Sequence, residues 1–568
     1  MKDERMLLSN FNLLATAPSG VARLRELILT LAVQGKLVPQ NPGDEPASVL
    51  LTRVAQNKTA QSAKSLKATT DEDGILAPYE LPSGWGWVRL GEIVENMGSG
   101  WSPACDEGER SDPTQWAVLR TTAVQVNEYR PREHKVVPLK LSPRPEIEVK
   151  DGDILITRAG PMNRVGISCW VNNTPPRLML SDKIVRFHSV ADEMLPAFIV
   201  LALNAGRTKN QIEAAKTGMA ASQVNISQTD LRGLWMPVCS KAEQSRIVTR
   251  VEELMCVCDA LEAKGKLEAA QHAQLLSTLL GTLADSDTPE ALAENWQRIA
   301  THFDLLLDRP KAIDAFEQTI LQLAVRGLLV PRDPSDKPAS ALLKKIRAEK
   351  DRLIAEGKIR RDKPLVGISE AEKPFELPVG WEWVPLQHIG YTQTGTTPAK
   401  KNPEMYGDDT PFIKPGDIYP SHVEYGNEAL SQVGLIDSGR VAPAGSLLMV
   451  CIGTIGKSNL VTRDCSFNQQ INSITPLCCS SGFVKLYCRS PYFQSEAWAR
   501  SSSTTIAILN KGKWEAIPVA LPPLAEQARI VARVEDLMRL CADLRQRLSA
   551  SQTTQAHLAE ALVESVAG

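Results

Sequence analysis

The sequence predicts an α/β protein built as a tandem duplication, in which two globular domains are separated by long helices that form an antiparallel coiled coil. Three observations lead to this fold class. A long helical pattern occurs twice, two further sequence blocks recur in the same order, and each half holds about 150 residues of short apolar runs with Gly and Pro between the repeated blocks. An internal repeat fixes the architecture of a chain before any single element is assigned.

The longest helical pattern begins at Ala242 and continues to about Leu280, and its first half returns almost unchanged from Ala525. Apolar residues recur at steps of three and four, which places them on one face of each helix. The pattern predicts that these two faces pack antiparallel on each other, with the first helix fraying at Gly265. The predicted helix interface consists of Ile247, Val251, Leu254, Cys258 and Leu261 in the first copy, and Ile530, Val534, Leu537, Cys541 and Leu544 in the second.

A second block, residues 28–39, returns as residues 320–331, roughly 290 positions later. Each copy is typical of a helix that ends at Gly, followed by a turn with Pro and a new helix. Ser48 and Ser340 are the predicted N-caps of the new helices, because a serine hydroxyl can accept a hydrogen bond from the first turn.

A third block, residues 78–88, returns as residues 374–384. Its Pro and Gly residues exclude a helix, and the alternating Trp-x-Trp-Val pattern predicts the start of a strand. The runs 152–157 and 445–450 both predict a buried strand that leads into a Gly-containing turn. Outside these shared runs the two halves do not align. A shared framework that carries different sequences between its elements is typical of two reading domains.

Composition places the 568 residues, 43% hydrophobic and 23% charged, among ordinary globular proteins. The first twelve residues lack a signal-peptide core, and no run approaches 18 apolar residues, so we expect no membrane segment. Eleven cysteines without a Cys-x-x-Cys pair favour reduced thiols and a cytoplasmic location. The net charge of −2 argues against binding nucleic acid through bulk charge alone.

Motifs for catalysis are weak. The run 453–458 ends like a phosphate-binding loop, but Cys451 stands where the first Gly is required, so an ordinary Gly turn is the favoured interpretation. The run 173–176 lacks the order and the aromatic residue of a methyltransferase motif, and the acidic run 145–153 is a pattern that arises often by chance. The seven histidines are dispersed, so we predict no catalytic residue and no metal site.

The repeated motifs resemble those of a known family, the DNA specificity subunit of type I restriction-modification systems. Leu-Pro-x-Gly-Trp-x-Trp stands at 81–87 and 377–383, and the helix start Pro-Leu-x-Glu-Gln-x-x-Ile stands at 523–530. The first half departs from the second motif at 239–242, where Cys-Ser-Lys-Ala replaces Pro-Pro-Leu-Ala.

The resemblance implies target recognition domains that alternate with helical conserved regions. The implied divisions are an N-terminal helical conserved region with a polar linker at 1–76, target recognition domain 1 at 77–240, a central helical conserved region at 241–373, target recognition domain 2 at 374–522, and a C-terminal helical conserved region at 523–568.

For function, the resemblance implies a non-catalytic subunit that recognises a bipartite sequence in double-stranded DNA, one half-site per recognition domain. It also implies a scaffold for two modification (methyltransferase) subunits and for restriction (translocase/endonuclease) subunits. No cofactor is expected in this chain, and S-adenosylmethionine is expected on the modification subunits. The alternative is a duplicated protein–protein scaffold without base-specific DNA reading. Because the predicted first helix is about 58 Å long, the domain anchors would be at most about 17 base pairs apart.

Polar residues that follow the strand-turn elements are the best candidates for reading DNA, since amides can pair with adenine and Lys or Arg with guanine. Turn and cap chemistry is the competing interpretation, and some of these residues would hold only phosphates. The candidates are Trp101, Arg158, Asn163, Arg164, Ser181, Asp182 and Lys183 in the first domain, and Thr396, Thr397, Lys414, Asn468, Gln469, Gln470, Asn472, Lys511 and Lys513 in the second.

Overall fold

The computed structural model describes residues 15–61, 80–106, 108, 110, 112–365, 367–438, 440–502 and 506–567. Most of the predicted polar linker before residue 76, and the first two residues of the block 78–88, lie outside the described residues. The chain divides into two compact units. Unit 1 comprises residues 1–267 and 552–568, and unit 2 comprises residues 268–551. Among the described residues, no helix is both long and apolar enough to cross a membrane.

Unit 1 begins with two helices, continues into a domain of short strands and ends in a long helix. Its helices are α1 (Gly20–Val33), α2 (Ala47–Gln61), α3 (Leu90–Ile93), α4 (Pro196–Asn204), α5 (Gly206–Ala214), α6 (Gln228–Gly233) and the first part of α7 (Lys241–Ala284). Its strands are β1 (Gly86–Arg89), β2 (Val94–Ser99), β3 (Ala117–Leu119), β4 (Val124–Gln125), β5 (Glu128–Tyr129), β6 (His134–Val136), β7 (Ile154–Thr157), β8 (Ala159–Gly160), β9 (Ser168–Trp170), β10 (Leu178–Met179), β11 (Ile184–Ser189), β12 (Thr217–Ala220), β13 (Gln223–Asn225) and β14 (Trp235–Val238).

Unit 2 also runs from helices through a domain of short strands into a long helix, but in the described part of the chain four α-helices follow the end of α7 before its first strand. Its helices, after the end of α7, are α8 (Pro289–Thr301), α9 (Phe303–Leu306), α10 (Pro310–Arg326), α11 (Ala339–Ala355), α12 (Gln432–Ser438), α13 (Ser481–Arg489), α14 (Pro491–Ala499), α15 (Lys511–Glu515) and most of α16 (Leu524–Ala567). Its strands are β15 (Glu382–Pro385), β16 (Gly390–Thr394), β17 (Tyr406–Ile413), β18 (Ala429–Leu430), β19 (Leu447–Val450), β20 (Ser458–Leu460), β21 (Ser466–Phe467), β22 (Ile471–Pro476) and β23 (Pro518–Leu521).

The sheets of the two units have matching strand orders. Unit 1 contains an antiparallel sheet β2-β11-β7-β9, and unit 2 contains β16-β22-β19-β20. A second sheet in each unit includes one parallel pair, β10 with β3 and β21 with β17. The predicted buried strands are confirmed as β7 and β19, whose residues are all buried. The predicted Trp-x-Trp strands are β1 and β15, and each pairs antiparallel with the strand that precedes a long helix.

The long helices α7 and α16 contain 44 residues each. At about 1.5 Å per residue, each is roughly 66 Å long. The prediction that the first helix frays at Gly265 is wrong, because α7 continues through this residue. Polar residues on both sides of Gly265 are exposed, so the gap in the apolar pattern marks a solvated part of the helix and not its end.

The predicted interface residues of these two helices belong to two different cores, one in each unit. Ile247, Val251 and Cys258 belong to the core of unit 1, which also contains Leu24 and Ile28 of α1. The second face, Ile530, Val534 and Cys541, belongs to the core of unit 2 together with Ile313 and Ile320 of α10. Leu254 and Leu261 are partly buried against the core of unit 1, and Leu537 and Leu544 are partly buried against the core of unit 2. Each predicted apolar face therefore packs with a short helix of its own unit. The spacing of apolar residues along α7 and α16 cannot distinguish this packing from a coiled coil of the two long helices.

Each short helix contacts the long helix that begins in its own unit and also the far end of the other long helix. Arg25 of α1 lies 2.5 Å from Asp259 of α7, and Arg23 of α1 donates to the carbonyl of Ala556 in α16. In unit 2, Arg545 of α16 lies 2.6 Å from Asp314 of α10, and Leu276 and Leu280 of α7 share the core with Ile313. Each unit therefore joins the beginning of one long helix, the end of the other, and one short helix.

The repeated blocks form one joint in each unit. The backbone at Gly35 has φ +70, and a Cβ there would lie 2.7 Å from Pro82 Cγ and 2.9 Å from Trp85, so the turn after α1 fits only as glycine. Gly327 occupies the same place against Pro378 and Trp381. This contact explains why the second and third blocks recur together.

The same joint corrects the predicted helix caps. Helices α2 and α11 begin at Ala47 and Ala339, one residue before Ser48 and Ser340. The first N–H of each helix donates to a glycine carbonyl of the third block, Ala47 to Gly84 and Ala339 to Gly380, both at 2.8 Å. A backbone acceptor from a distant segment thus replaces the expected serine side chain.

Candidate nucleic-acid interface

Three strand ends meet at one edge of the strand-containing domain of each unit. In unit 1 they are the residues after β2 (100–102), the residue after β7 (Arg158) and the turn between β10 and β11 (181–183). In unit 2 they are residues 395–397, Cys451 and residues 468–470, which follow β16, β19 and β21. We refer to these two sets as the strand-end surfaces.

Backbone hydrogen bonds hold both strand-end surfaces, and the bonds donated by Trp101 and Arg158 in unit 1 are equivalent to those donated by Thr396 and Cys451 in unit 2. In unit 1, Gly100 N donates to Ser181 O at 3.1 Å, Trp101 N to Leu180 O at 2.9 Å, and Arg158 N to Lys183 O at 2.8 Å. In unit 2, Gly395 N donates to Ile471 O at 3.0 Å, Thr396 N to Phe467 O at 3.1 Å, and Cys451 N to Gln470 O at 2.8 Å. The backbone is therefore the constant part of the surface and the side chains are the variable part.

A glycine allows the strands to approach closely at each surface. A Cβ on Gly100 would lie 2.0 Å from Leu180 O, and a Cβ on Gly395 would lie 2.1 Å from Asn468 O. Both neighbours are backbone atoms, so they cannot move aside as the end of a side chain could. Any larger residue would separate the turn from the strand.

We expect Gly395→Ala to destabilise unit 2 by about 1–3 kcal/mol, the usual cost of forcing extra atoms into a packed site. Gly416→Ala is the matched control in the same domain, because a Cβ at Gly416 meets nothing within 4 Å. Thermal unfolding of the two variants measures the difference. Equal melting temperatures would contradict the close approach at Gly395.

The exposed side chains of the turns differ between the two surfaces. Asp182 and Lys183 are exposed in unit 1, and Gln469 is exposed in unit 2. Both central side chains are held by a hydroxyl: Ser102 donates to Asp182, and Thr397 donates to Gln469. A carboxylate can accept from cytosine N4, a lysine can donate to guanine, and an amide can pair with adenine. Each surface thus presents side chains of different hydrogen-bonding chemistry.

Ser102 is a residue that sequence reasoning missed. It stands two positions after Gly100, as Thr397 stands two positions after Gly395. The offset from the glycine was the signal that could have identified it. Trp101, which was predicted, is half-buried, and the Arg144 guanidinium lies 4.4 Å from its ring centre, where it can contribute a cation–π contact.

Several predicted residues face inward, which corrects their assignment as DNA readers. Asn472 is 2% exposed; it accepts from Thr394 Oγ1 at 2.7 Å and donates to Cys451 Sγ at 3.2 Å. Burial raises the pKa of the Cys451 thiol to about 12. Ser181 and Asn468 are also buried, at 5% and 8% exposure, and they shape the turns rather than project from them. The alternation of residues along a strand shows which side chains share a face of the sheet. It does not show which face the rest of the domain covers.

Arg164 is also engaged within the domain. Its guanidinium donates to Gln125 Oε1 at 3.1 Å, to Thr121 O at 2.8 Å and to Val124 O at 2.7 Å. Burial lowers the pKa of this guanidinium from its usual value. Arg164 therefore ties the loop after β8 to the strand β4, and Asn163 beside it is exposed.

The remaining candidates vary in accessibility and in their contacts within the domain. Arg158 is half-buried, and its Nε has no hydrogen-bond partner among the described residues. Thr396 Oγ1 donates to Ser438 O at 2.8 Å, Lys414 pairs with Glu428, and Lys511 pairs with Glu515 at 2.9 Å. Lys513 is exposed, and Gln470 is half-buried.

The acidic run of unit 1 is also accounted for by internal contacts. Asp153 is fully buried, where it contacts His188 and lies 3.5 Å from Arg186. In the part of the chain that the structure describes, no three His, Cys, Asp or Glu side chains are grouped to hold a metal ion.

Comparisons with known proteins identify the family. Residues 378–551 match the family model of the type I restriction modification DNA specificity domain. The specificity subunit of the type I restriction enzyme EcoEI from Escherichia coli is 32% identical over 96% of this chain and 93% of that protein, and the EcoAI subunit from Escherichia coli is 33% identical over the same shares. The HindI specificity subunit from Haemophilus influenzae is 26% identical over 58% of this chain and 67% of that protein. The chain therefore belongs to the family of type I restriction enzyme specificity subunits, which provide sequence-specific DNA recognition and not catalysis.

Proposed function

We propose that this chain reads a bipartite target in double-stranded DNA, with one half-site for each strand-end surface. The observation that carries the proposal is that the two surfaces share one backbone frame but present different side chains, Asp182 and Lys183 against Gln469. Two frames of the same kind, displaced along a duplex, address two separated half-sites. The domains concerned are target recognition domain 1 at 77–240 and target recognition domain 2 at 374–522.

The matching order of blocks and strands supports a tandem duplication as the origin of the two units. We further propose that the chain assembles in the cytoplasm with two modification (methyltransferase) subunits and with restriction (translocase/endonuclease) subunits. S-adenosylmethionine then binds to the modification subunits, and this chain supplies the target. Helices α7 and α16 both belong partly to each unit, which supports a role for them as the scaffold that sets the spacing of the half-sites.

A domain exchange tests the proposal. Residues 374–522 are replaced by the corresponding segment of the EcoAI subunit, and a reciprocal variant exchanges residues 77–240. We expect each exchange, in the assembled complex, to change one half of the modified sequence and to leave the other half unchanged. Base-resolution mapping of methylated sites in a genome carrying each variant provides the measurement.

The alternative is a duplicated scaffold that joins protein partners without reading bases. It predicts that complexes assemble with either variant while the methylated sequence does not follow the exchanged domain. A complex that binds target and unrelated duplexes with equal affinity at all salt concentrations would also favour this alternative.

A further inference from the structure

Unit 2 contains a cleft of about 1120 Å³ beside its strand-end surface. One wall is the segment 357–365 that follows α11, and the other includes residues 391–394 of β16 with Arg440 and Lys511. This volume exceeds the roughly 300–1,000 Å³ of pockets that enclose small ligands. We call it the basic cleft.

The basic cleft has an excess of positive charge. Its two lining carboxylates are already paired, Asp362 with Lys350 at 2.5 Å and Glu515 with Lys511 at 2.9 Å. Arg360, Arg361 and Lys363 are exposed, and none of them has an ion-pair partner within the described ranges. The half-buried Arg440 adds a guanidinium whose Nε has no hydrogen-bond partner in that same part of the chain.

The cationic segment is fixed to the recognition domain. Gln387 Nε2 donates to Lys363 O at 3.0 Å, and Lys350 Nζ donates to Gln387 O at 2.8 Å while it pairs with Asp362. The backbone that carries Arg360, Arg361 and Lys363 is thus held before any ligand arrives. Prior ordering lowers the entropy cost of binding.

The cleft is continuous with the surface that presents base-reading side chains. Thr394 lines the cleft at the end of β16, and residues 395–397 that follow it belong to the strand-end surface. When the bases of a duplex contact Gln469, the phosphates of that duplex lie beside the neighbouring wall of the cleft. Lys and Arg that neutralise phosphates contribute affinity without sequence preference, whereas base contacts specify.

We propose that the basic cleft binds the phosphodiester backbone of the DNA beside the half-site read by unit 2, through Arg360, Arg361, Lys363 and Arg440. The proposal rests on the proposed function, since it needs a duplex at the strand-end surface. It assigns an affinity role to a connecting segment that lies before the predicted recognition domain 374–522.

The test compares Arg360→Ala/Arg361→Ala with Lys344→Ala/Lys345→Ala in the assembled complex. The control removes the same charge from exposed positions of the preceding helix α11, outside the cleft. Affinity is measured by fluorescence anisotropy on a target duplex and on an unrelated duplex over a series of salt concentrations. In a plot of the logarithm of the binding constant against the logarithm of salt concentration, we expect the slope of the cleft variant to be less steep than the wild-type slope by about 2. Near 0.15 M salt, we expect this variant to bind both duplexes roughly 10- to 30-fold more weakly. The control should keep the wild-type slope.

Each other result contradicts the proposal. An unchanged slope, or an equal loss in the control, would show that the cleft neutralises no phosphate. A changed base preference would assign Arg360 and Arg361 to base reading, and loss of partner subunits on size exclusion would assign the cleft to a protein. If the wild-type complex showed no preference for its target, the proposed function would fail, while the slopes on the unrelated duplex would still decide the role of the cleft.

Discussion

Replacing Val534 by proline is expected to break α16 and to cost unit 2 at least about 3 kcal/mol beyond any loss of packing. Val534 is 1% exposed and lies in the core with Ile530 and Cys541. Proline removes the N–H that bonds to the carbonyl four residues earlier, and its ring clashes with that carbonyl. Broken at this point, the helix can no longer present Ile530 and Cys541 to α10 at the same time.

Val534→Ala separates the two effects, because it removes methyl groups and keeps the helix. Thermal unfolding of the full chain and DNA binding by the assembled complex are the measurements. Proline should lower the melting temperature well below that of the alanine variant and abolish target preference. Melting temperatures that coincide for the two variants would mean that α16 does not depend on a continuous helix at Val534.

A matched insertion of four residues in both long helices is expected to lengthen the unread middle of the target by nearly two base pairs. The positions are between Leu267 and Glu268 in α7, and between Ser551 and Gln552 in α16, where each helix passes from one unit to the other. Four residues add about 6 Å and slightly more than one helical turn, so the apolar faces stay close to their original direction. A base pair rises about 3.4 Å, which gives the expected change in spacing.

Both helices must be lengthened because each unit holds the start of one and the end of the other. Insertion in α7 alone lengthens one helix while α16 keeps its length. We expect this variant to bind the target more weakly and not to change the spacing of the half-sites. Methylation mapping distinguishes the results. A double insertion that keeps the original spacing, or that alters either half-sequence, would show that these helices do not set the distance.

The framework was predictable from sequence because it rests on local patterns. Three consecutive apolar residues identified β7 and four identified β19, and steps of three and four identified α7 and α16. The partners of these elements were not predictable in the same way. The apolar face containing Val251 fits any helix of suitable length, and the structure places it with α1.

For the site residues, too, local patterns were predictable from sequence and tertiary contacts were not. Residues in the turns 181–183 and 468–470 were found because turns after buried strands are recognisable, but the burial of Asn472 depends on its place in β22, between β16 and β19. The basic cleft was missed because Arg360 and Arg440 are distant in sequence, and the charged run 358–363 does not show by itself which surface it lies beside. Only folding of the segment 357–365 beside β16 brings these charges together.

The backbone hydrogen bonds of the strand-end surfaces have a consequence for evolution. Bonds such as Gly395 N to Ile471 O and Cys451 N to Gln470 O do not depend on which side chains the turn carries. The exposed positions Thr397 and Gln469 can therefore be exchanged at little cost to folding, provided that Gly395 is kept. A lineage that carries this frame can therefore vary its exposed side chains by a few substitutions, without first having to recover lost stability.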